Sequence, residues 1–157
     1  MDTENKTIKN QLIESIDLLN SMEPVVSLVM PKFKNFRKSD LAKQIDNEFK
    51  KIGSQVERKN FGSIMLSYKE ISKSLRYLST DGEFMSLLTV PYVIKRGEVI
   101  DWHKAHKNRN IDSITFAAPV EINGIRGNVG VVVQRDENTN RYKTHRIITP
   151  EGNVYKI

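Results

Sequence analysis

Apolar residues in the first half of the chain recur at the spacing of amphipathic helices. Ile8, Leu12, Ile16 and Leu19 lie three or four positions apart and predict one helix that ends before Pro24. A second helix is predicted where apolar residues stand at positions 41, 45, 49 and 52, between a Ser39-Asp40 cap and a glycine at 53. A short strand over residues 62–67 and helices over residues 68–78 and 81–94 are also predicted.

The period changes to two from Asp112 onward. Apolar residues alternate with other residues between Ile114 and Ile122, which predicts a strand with one apolar face. Asn123-Gly124 predicts a tight hairpin turn. Further strands are predicted over residues 125–135, 141–149 and 154–157. The predicted fold class is therefore α+β, with N-terminal helices followed by an antiparallel sheet of about four strands.

The length of the chain fits one domain. With 157 residues, 38% of them hydrophobic, residues 1–157 can form a single modest core. We predict a helical N-terminal region over residues 1–56 and a second region over residues 57–157, with the sheet at 111–157. The absence of cysteine excludes disulfides and thiolate-bound zinc. No apolar run approaches the roughly twenty residues of a membrane span, so a cytoplasmic protein without membrane contact is expected.

Charge and histidine placement indicate the chemistry. The formal net charge of +6 favours an anionic partner, either a nucleic acid or an acidic protein. The three histidines, His103, His106 and His145, all lie in the last third of the chain among lysines and arginines. Imidazole moves protons near neutral pH, and neighbouring cations can hold a phosphate. The pattern indicates acid–base chemistry on nucleic acid.

Alternation in the strand that begins at Arg141 assigns its side chains to two faces. One face would carry Arg141, Lys143, His145 and Thr149, while Tyr142, Arg146 and Ile148 would point the other way. If the first face lies on the same side as Ser113 and Thr115, an imidazole, cations and hydroxyls would meet on one surface. The alternative is an ordinary solvated strand face.

Residues 96–109 are polar and basic, and we predict a loop that precedes the sheet. Within it, His106 stands beside Lys107 and Arg109, so an imidazole and two cations could act on one phosphate. An unremarkable surface loop is the alternative. His103 and His106, three residues apart, could also bind zinc together with His145, although no glutamate stands in the pattern that zinc peptidases require.

Several short motifs resemble a known group of domains. They are His-Lys at 106–107, Ala-Ala-Pro-Val at 117–120, Asn-Gly at 123–124 and Arg-Tyr-x-x-His-Arg at 141–146. Together they resemble phage and mobile-element domains attached to MuF-type head proteins and large polyvalent proteins, which are grouped with the barnase–EndoU–colicin–RelE-like nucleases. The resemblance covers the last third of the chain closely and residues 62–97 more loosely, and residues before about 57 lie outside it.

The resemblance implies a metal-independent, ribonuclease-like toxin. In such a fold, helices precede a four-stranded antiparallel sheet whose concave face binds RNA. The positions carried over are His106, Arg141, Tyr142, His145 and Arg146, and His103 ranks below His106 because it has no counterpart in the motifs. The implied partners are RNA and an acidic immunity protein, and the implied setting is the cytoplasm, with a protein that is phage-encoded or delivered into a host cell.

Metal-independent RNA cleavage needs a base for the 2′-hydroxyl, an acid for the departing 5′-oxygen and cations for the charged phosphorane. We hypothesise that His106 and His145 are the acid–base pair and that no cofactor or metal takes part, which leaves a 2′,3′-cyclic phosphate. Charge would be stabilised by Lys107, Arg109, Arg141 or Lys143, and a hydrogen bond donated by Thr115 or Thr149. The alternative is a non-catalytic module of a phage or mobile element that binds nucleic acid or protein.

Overall fold

Over the residues that the structure describes, a mixed sheet of seven strands forms the centre of the molecule. The structure is a computed structural model, and it describes residues 3–29, 37–103, 112–136 and 139–156. The strands are β1 (Ser27–Leu28), β2 (Gln55–Arg58), β3 (Gly62–Met65), β4 (Glu98–His103), β5 (Asp112–Ile122), β6 (Ile125–Asp136) and β7 (Thr139–Ile148). Their order is β1-β5-β6-β7-β3-β2, and β4 also pairs with β5.

Helices cover both faces of this sheet. They are α1 (Thr3–Glu14), α2 (Ile16–Ser21), α3 (Lys38–Lys50), α4 (Tyr68–Leu75), α5 (Asp81–Ser86) and α6 (Val90–Arg96), with a 3₁₀ turn at Leu87–Thr89. Ile8 and Leu12 of α1 form a small core with Val132 and Ile148 on one face. The larger core, on the other face, contains buried side chains of α3 to α6. The apolar stripes predicted from helical spacing therefore pack against opposite faces of one sheet.

The predicted fold class is wrong. The prediction placed N-terminal helices before a four-stranded antiparallel sheet, whereas β1 to β4 precede residue 111 and the sheet is mixed. Two pairings are parallel, β1 with β5 and β3 with β7. Strands of two to four residues, such as β1 and β2, are too short to show a period in the sequence, whereas β3 lies within the strand predicted over residues 62–67. The strand predicted at 154–157 is reduced to a bridge between Ile148 and Val154.

Local signals are more accurate in the C-terminal hairpins. β5 begins at Asp112 as predicted and pairs with β6 in register along its whole length. Asn123 and Gly124 have φ values of 50° and 79°, the two positive angles that a two-residue type I′ turn requires. The predicted helix cap at Ser39-Asp40 is wrong, since α3 begins at Lys38, ahead of that pair.

Two arginines hold helix ends against the sheet. Arg58 Nη1 donates to the carbonyl oxygens of Ile94 (3.0 Å) and Gly97 (2.7 Å) at the end of α6, and its guanidinium lies 5.0 Å from the ring centroid of Phe116. Arg126 Nη2 donates to the carbonyl oxygens of Leu19 (2.8 Å), in the last turn of α2, and of Met22 (2.7 Å), directly after it. These cations donate to carbonyl oxygens at helix ends, where few backbone donors remain, so they serve the fold. No helix in the described ranges is both long and apolar enough to cross a membrane.

Candidate acid–base site on the sheet

A bulge in β7 decides which of its side chains share a face. Val133 of β6 pairs with Tyr142 and Val132 pairs with Thr144, so Lys143 is an extra residue in β7. Alternation therefore reverses at Lys143, and Tyr142 and His145 both face α4 and α5. The prediction that His145 shares a face with Arg141 is wrong, because alternation holds only where a strand has no bulge.

His145 belongs to a buried chain of hydrogen bonds. Ser74 Oγ of α4 lies 2.6 Å from Tyr142 Oη, which lies 2.8 Å from His145 Nδ1. His145 Nε2 lies 2.9 Å from Ser86 Oγ of α5. Only 4% of His145 is exposed, and Tyr142 is fully buried. We call these four residues the buried relay, and they connect α4, β7 and α5.

The donor and the acceptor of each hydrogen bond in the buried relay follow from the bonds of Ser86. Ser86 Oγ donates to the carbonyl of Glu83, so it must accept from Nε2–H of His145. Nδ1 then accepts from Tyr142, and Tyr142 Oη accepts from Ser74. His145 is neutral in this arrangement, and neither ring nitrogen is available to a substrate.

Burial explains the protonation state of the relay. Burial lowers the pKa of His145 to about 4, against a smaller opposite effect of hydrogen bonding to the backbone of Glu83. Burial also raises the pKa of Tyr142 well above its ordinary value, an effect that its bond with Ser74 reduces and the nearby charge of Glu70 reinforces. The relay thus holds two helices on the sheet without a charge.

The opposite face of the sheet carries a different row of polar residues. Cross-strand pairs run from His103 to Ser113, from Ser113 to Gln134 and from Gln134 to Arg141, across β4, β5, β6 and β7. Directly paired residues point to the same side of a sheet. We call this surface the polar face, and it comprises Asp101, His103, Ser113, Thr115, Gln134, Arg141, Thr144 and Arg146. Here an imidazole, hydroxyls and two arginines lie on one surface.

His103 is held in position by three further side chains. Its Nε2 lies 2.8 Å from Oδ2 of Asp101, which also accepts from Nε2 of Gln11 in α1 at 2.9 Å. Oε1 of Gln11 accepts in turn from the hydroxyl of Thr115 at 2.8 Å. Thr115 is 2% exposed, whereas the side chain of His103 is 66% exposed. A buried hydroxyl therefore orients an amide, the amide orients a carboxylate, and the carboxylate orients an exposed imidazole.

This geometry suits proton transfer. In the neutral imidazole, Nε2–H donates to Asp101 and Nδ1 is an acceptor, which has no hydrogen-bond partner within the ranges that the structure describes. Nδ1 can take a proton from a substrate, and the adjacent carboxylate stabilises the imidazolium that forms. Arg141 and Arg146 add positive charge to the same face. From β4 to β7 the polar face extends across three inter-strand spacings, or about 14 Å.

His103 and His145 do not converge on a metal. His103 lies on the polar face, whereas His145 lies among the helices on the other side of the sheet, so the two cannot ligate one ion as the zinc alternative requires. Across the described ranges, no group of three His, Cys, Asp or Glu side chains is placed to hold a metal ion.

Of the other predicted site residues, the structure describes Thr149 and Lys143. His106, Lys107 and Arg109 lie outside the described residues. Thr149 closes a turn, since its Oγ1 accepts from the backbone N–H of Asn153 at 3.1 Å. Lys143 lies at the bulge and lines a cleft beside α4. The catalytic roles predicted for His106, His145 and Thr149 stay predictions.

Sequence reasoning missed Asp101 and Gln11. Asp101 and His103 are two residues apart, which places them on one face of a strand, but residues 96–109 were predicted to be a loop. That prediction is wrong for Glu98–His103, which forms β4. Gln11 is 90 positions away from Asp101, so its part in the site has no local signal.

Comparison with known proteins agrees with part of the resemblance that the sequence motifs indicate. The family model described as "Large polyvalent protein-associated domain 3" matches residues 37–143, which is more than half of the chain. Comparisons with curated proteins and with solved structures give no match. The large polyvalent protein context is confirmed, whereas a nuclease family is not shown. The chain thus belongs to the large polyvalent protein-associated domain 3 family.

Proposed function

We propose that this domain binds RNA on the polar face and cleaves it by metal-independent acid–base catalysis. The Asp101–His103 pair carries the proposal, because it presents an oriented, exposed imidazole on the face that also holds Arg141 and Arg146. His103 takes the role first assigned to His145, whose ring nitrogens are both engaged.

The proposed reaction needs only groups of this chain. Nδ1 of His103 accepts the proton of a ribose 2′-hydroxyl, and that oxygen attacks the adjacent phosphorus. The bond from phosphorus to the 5′-oxygen breaks, and His106 is the proposed donor of the proton that the leaving oxygen takes up. Arg141 and Arg146 stabilise the additional negative charge of the phosphorane. The products are a 2′,3′-cyclic phosphate and a free 5′-hydroxyl.

Binding without cleavage is a second candidate function. The two arginines and the hydroxyls of the polar face can hold phosphates whether or not a proton is transferred. The two candidates differ in the state of the RNA after incubation and in the effect of removing one imidazole.

A cleavage assay in excess chelator tests the proposal. We expect wild-type protein to cut a fluorescent single-stranded RNA and to leave 2′,3′-cyclic phosphate ends. His103→Ala should lower the rate constant about 10²-fold to 10⁴-fold, the usual contribution of a general acid–base group, with little change in RNA affinity. Asp101→Asn should lower it less, because the imidazole remains. Lys51→Ala, on the exposed end of α3, is the matched control.

Two outcomes contradict the proposal in different ways. Tight binding of intact RNA by wild-type protein, unaffected by His103→Ala, would leave only the binding function. Absence of both binding and cleavage would refute both candidates.

A further inference from the structure

A second polar site lies between α4 and the edge of β7. β3 pairs with β7 only at Asn140 and Arg141, so over the described part of the chain the edge of β7 beyond that point faces α4 and α5 instead of a strand. A cavity of about 290 Å³ opens there. It is lined by Glu70, Lys73, Ser74, Arg76, Tyr77, Lys143 and Thr144, and we call it the α4 cleft. Its size is at the lower end of small-ligand pockets, about 300 Å³, which suits one nucleotide-sized group.

Positive charge dominates the α4 cleft. Lys73, Arg76 and Lys143 all line it, against the single carboxylate of Glu70. The Lys73 side chain is 44% exposed, and its Nζ is 3.9 Å from Oε1 of Glu70, the limit of an ion pair. Three cations around a small cavity favour a ligand with a phosphate, since each can donate to phosphate oxygens.

The buried side chain of Glu70 indicates that the ligand also has a hydrogen-bond donor. It is only 8% exposed, and its Oε2 is buried with no hydrogen-bond partner among the described residues. A buried carboxylate oxygen without a donor is costly, so a donor from a ligand would stabilise it. Ser74 adds a second acceptor, because its hydroxyl proton is already donated to Tyr142. The cleft therefore combines acceptors for hydroxyls with cations for phosphate, which matches a ribose phosphate.

The α4 cleft is continuous with the polar face through β7. Arg141 and Arg146 lie on the polar face, and Lys143 lies between them in sequence, at the bulge that turns it into the cleft. A basic track therefore leads from the polar face around the edge of β7 to Lys73 and Arg76. Tyr77, 66% exposed at the cleft, offers a ring on which a base can stack.

We propose that the α4 cleft binds one ribonucleotide of the RNA chain whose scissile bond lies at His103, a proposal that rests on the function above. Lys73, Arg76 and Lys143 hold the phosphate of that nucleotide, and its 2′-hydroxyl donates to Glu70. The cleft is then an anchoring subsite several nucleotides away from the cleaved bond. It strengthens binding and selects ribose over deoxyribose at one position of the substrate.

A set of RNA oligonucleotides that each carry one 2′-deoxy residue tests the ribose contact. With wild-type protein, a deoxy residue at one position away from the cleavage site should weaken binding about 10-fold to 100-fold, the effect of one lost hydrogen bond to a charged group. Glu70→Met should abolish that difference, whereas Glu70→Gln keeps an acceptor and should preserve it in part. Circular dichroism of each variant reports whether it is folded.

The phosphate contacts have a separate readout. Arg76→Ala and Lys143→Ala should raise KM for a long RNA and leave kcat unchanged, and each should reduce the slope of log affinity against log salt by about one. Both should cleave a dinucleotide, too short to reach the cleft, at the wild-type rate. Lys51→Ala, with its cation on α3, should match wild type in every assay.

The outcomes separate this proposal from the function on which it rests. If wild-type protein binds RNA but no single deoxy position matters and the Arg76 and Lys143 variants equal Lys51→Ala, the cleft proposal is overturned and RNA binding stands. If wild-type protein binds no RNA, the proposed function fails first. Displacement of the oligonucleotide by an equal concentration of adenosine 5′-monophosphate would assign the cleft to free nucleotides and overturn the RNA assignment.

Discussion

Acidification should destabilise this domain through His145. Its pKa is about 4 in the folded protein, against 6.5 for an ordinary histidine, because burial disfavours the charged ring. Between these values the unfolded chain binds a proton that the folded chain does not. Stability must therefore fall as the pH decreases from 6.5 toward 4, and the contribution of His145 is fully present above pH 6.5.

The magnitude follows from the difference between the two pKa values. At 1.36 kcal/mol for each pH unit, a difference of about 2.5 units corresponds to about 3 kcal/mol. Most of it, about 2–3 kcal/mol, is lost between pH 7.5 and pH 4.5. Against a typical unfolding free energy of about 5–15 kcal/mol, this is a large fraction of the stability of a small domain.

Urea denaturation followed by circular dichroism measures this effect. The unfolding free energies of wild-type protein and His145→Gln should be compared at several pH values from 7.5 to 4.5. All other ionisable groups are common to the two proteins, so the difference between the two curves isolates His145. We expect wild type to be more stable at pH 7.5 and to lose about 2–3 kcal/mol of that advantage by pH 4.5. Parallel curves would show that His145 is not a buried neutral group and would refute the relay.

Two further substitutions test the hydrogen bonds described above. Tyr142→Phe leaves Ser74 and His145 Nδ1 without their shared partner, so calorimetry should show a loss of about 2–4 kcal/mol, while Tyr77→Phe, at an exposed ring, should be neutral. An equal effect of the two would contradict the relay. Arg58→Met keeps the apolar stem but removes the donors to the carbonyls of Ile94 and Gly97, which should cost about 2 kcal/mol. Amide hydrogen exchange at the end of α6 should become faster, and unchanged exchange would show that this arginine does not hold the helix end.

The accuracy of the sequence predictions depends on whether the signal was local. β5 and the hairpin at Asn123-Gly124 follow from alternation and turn chemistry within a few residues, and both were predicted. The parallel pairing of β3 with β7 joins Ile64 to Asn140, residues far apart in the chain, through short contacts that leave no periodic signal. The fold class was wrong because β1, β2 and β4 were not predicted and β3 was not placed in the sheet.

The candidate site was likewise predicted only where the signal was local. The expectation that an imidazole, cations and hydroxyls share one sheet face matches a surface of the protein, but its histidine is His103. His145 was placed on that face because alternation was counted through Lys143, where β7 contains a bulge. A bulge results from pairing with β6, and β7 alone carries no sign of it.

By itself, the sequence determined the basic charge, the absence of cysteine, the amphipathic stripes of the helices and the C-terminal hairpins. These depend on composition or on residues that are neighbours along the chain. Only the tertiary structure decided that His145 is buried and neutral, that Gln11 and Thr115 orient the Asp101–His103 pair, and that α4 forms a cleft with β7. The physical reason is that burial and side-chain orientation are set by cross-strand register and by helices packed from distant parts of the chain.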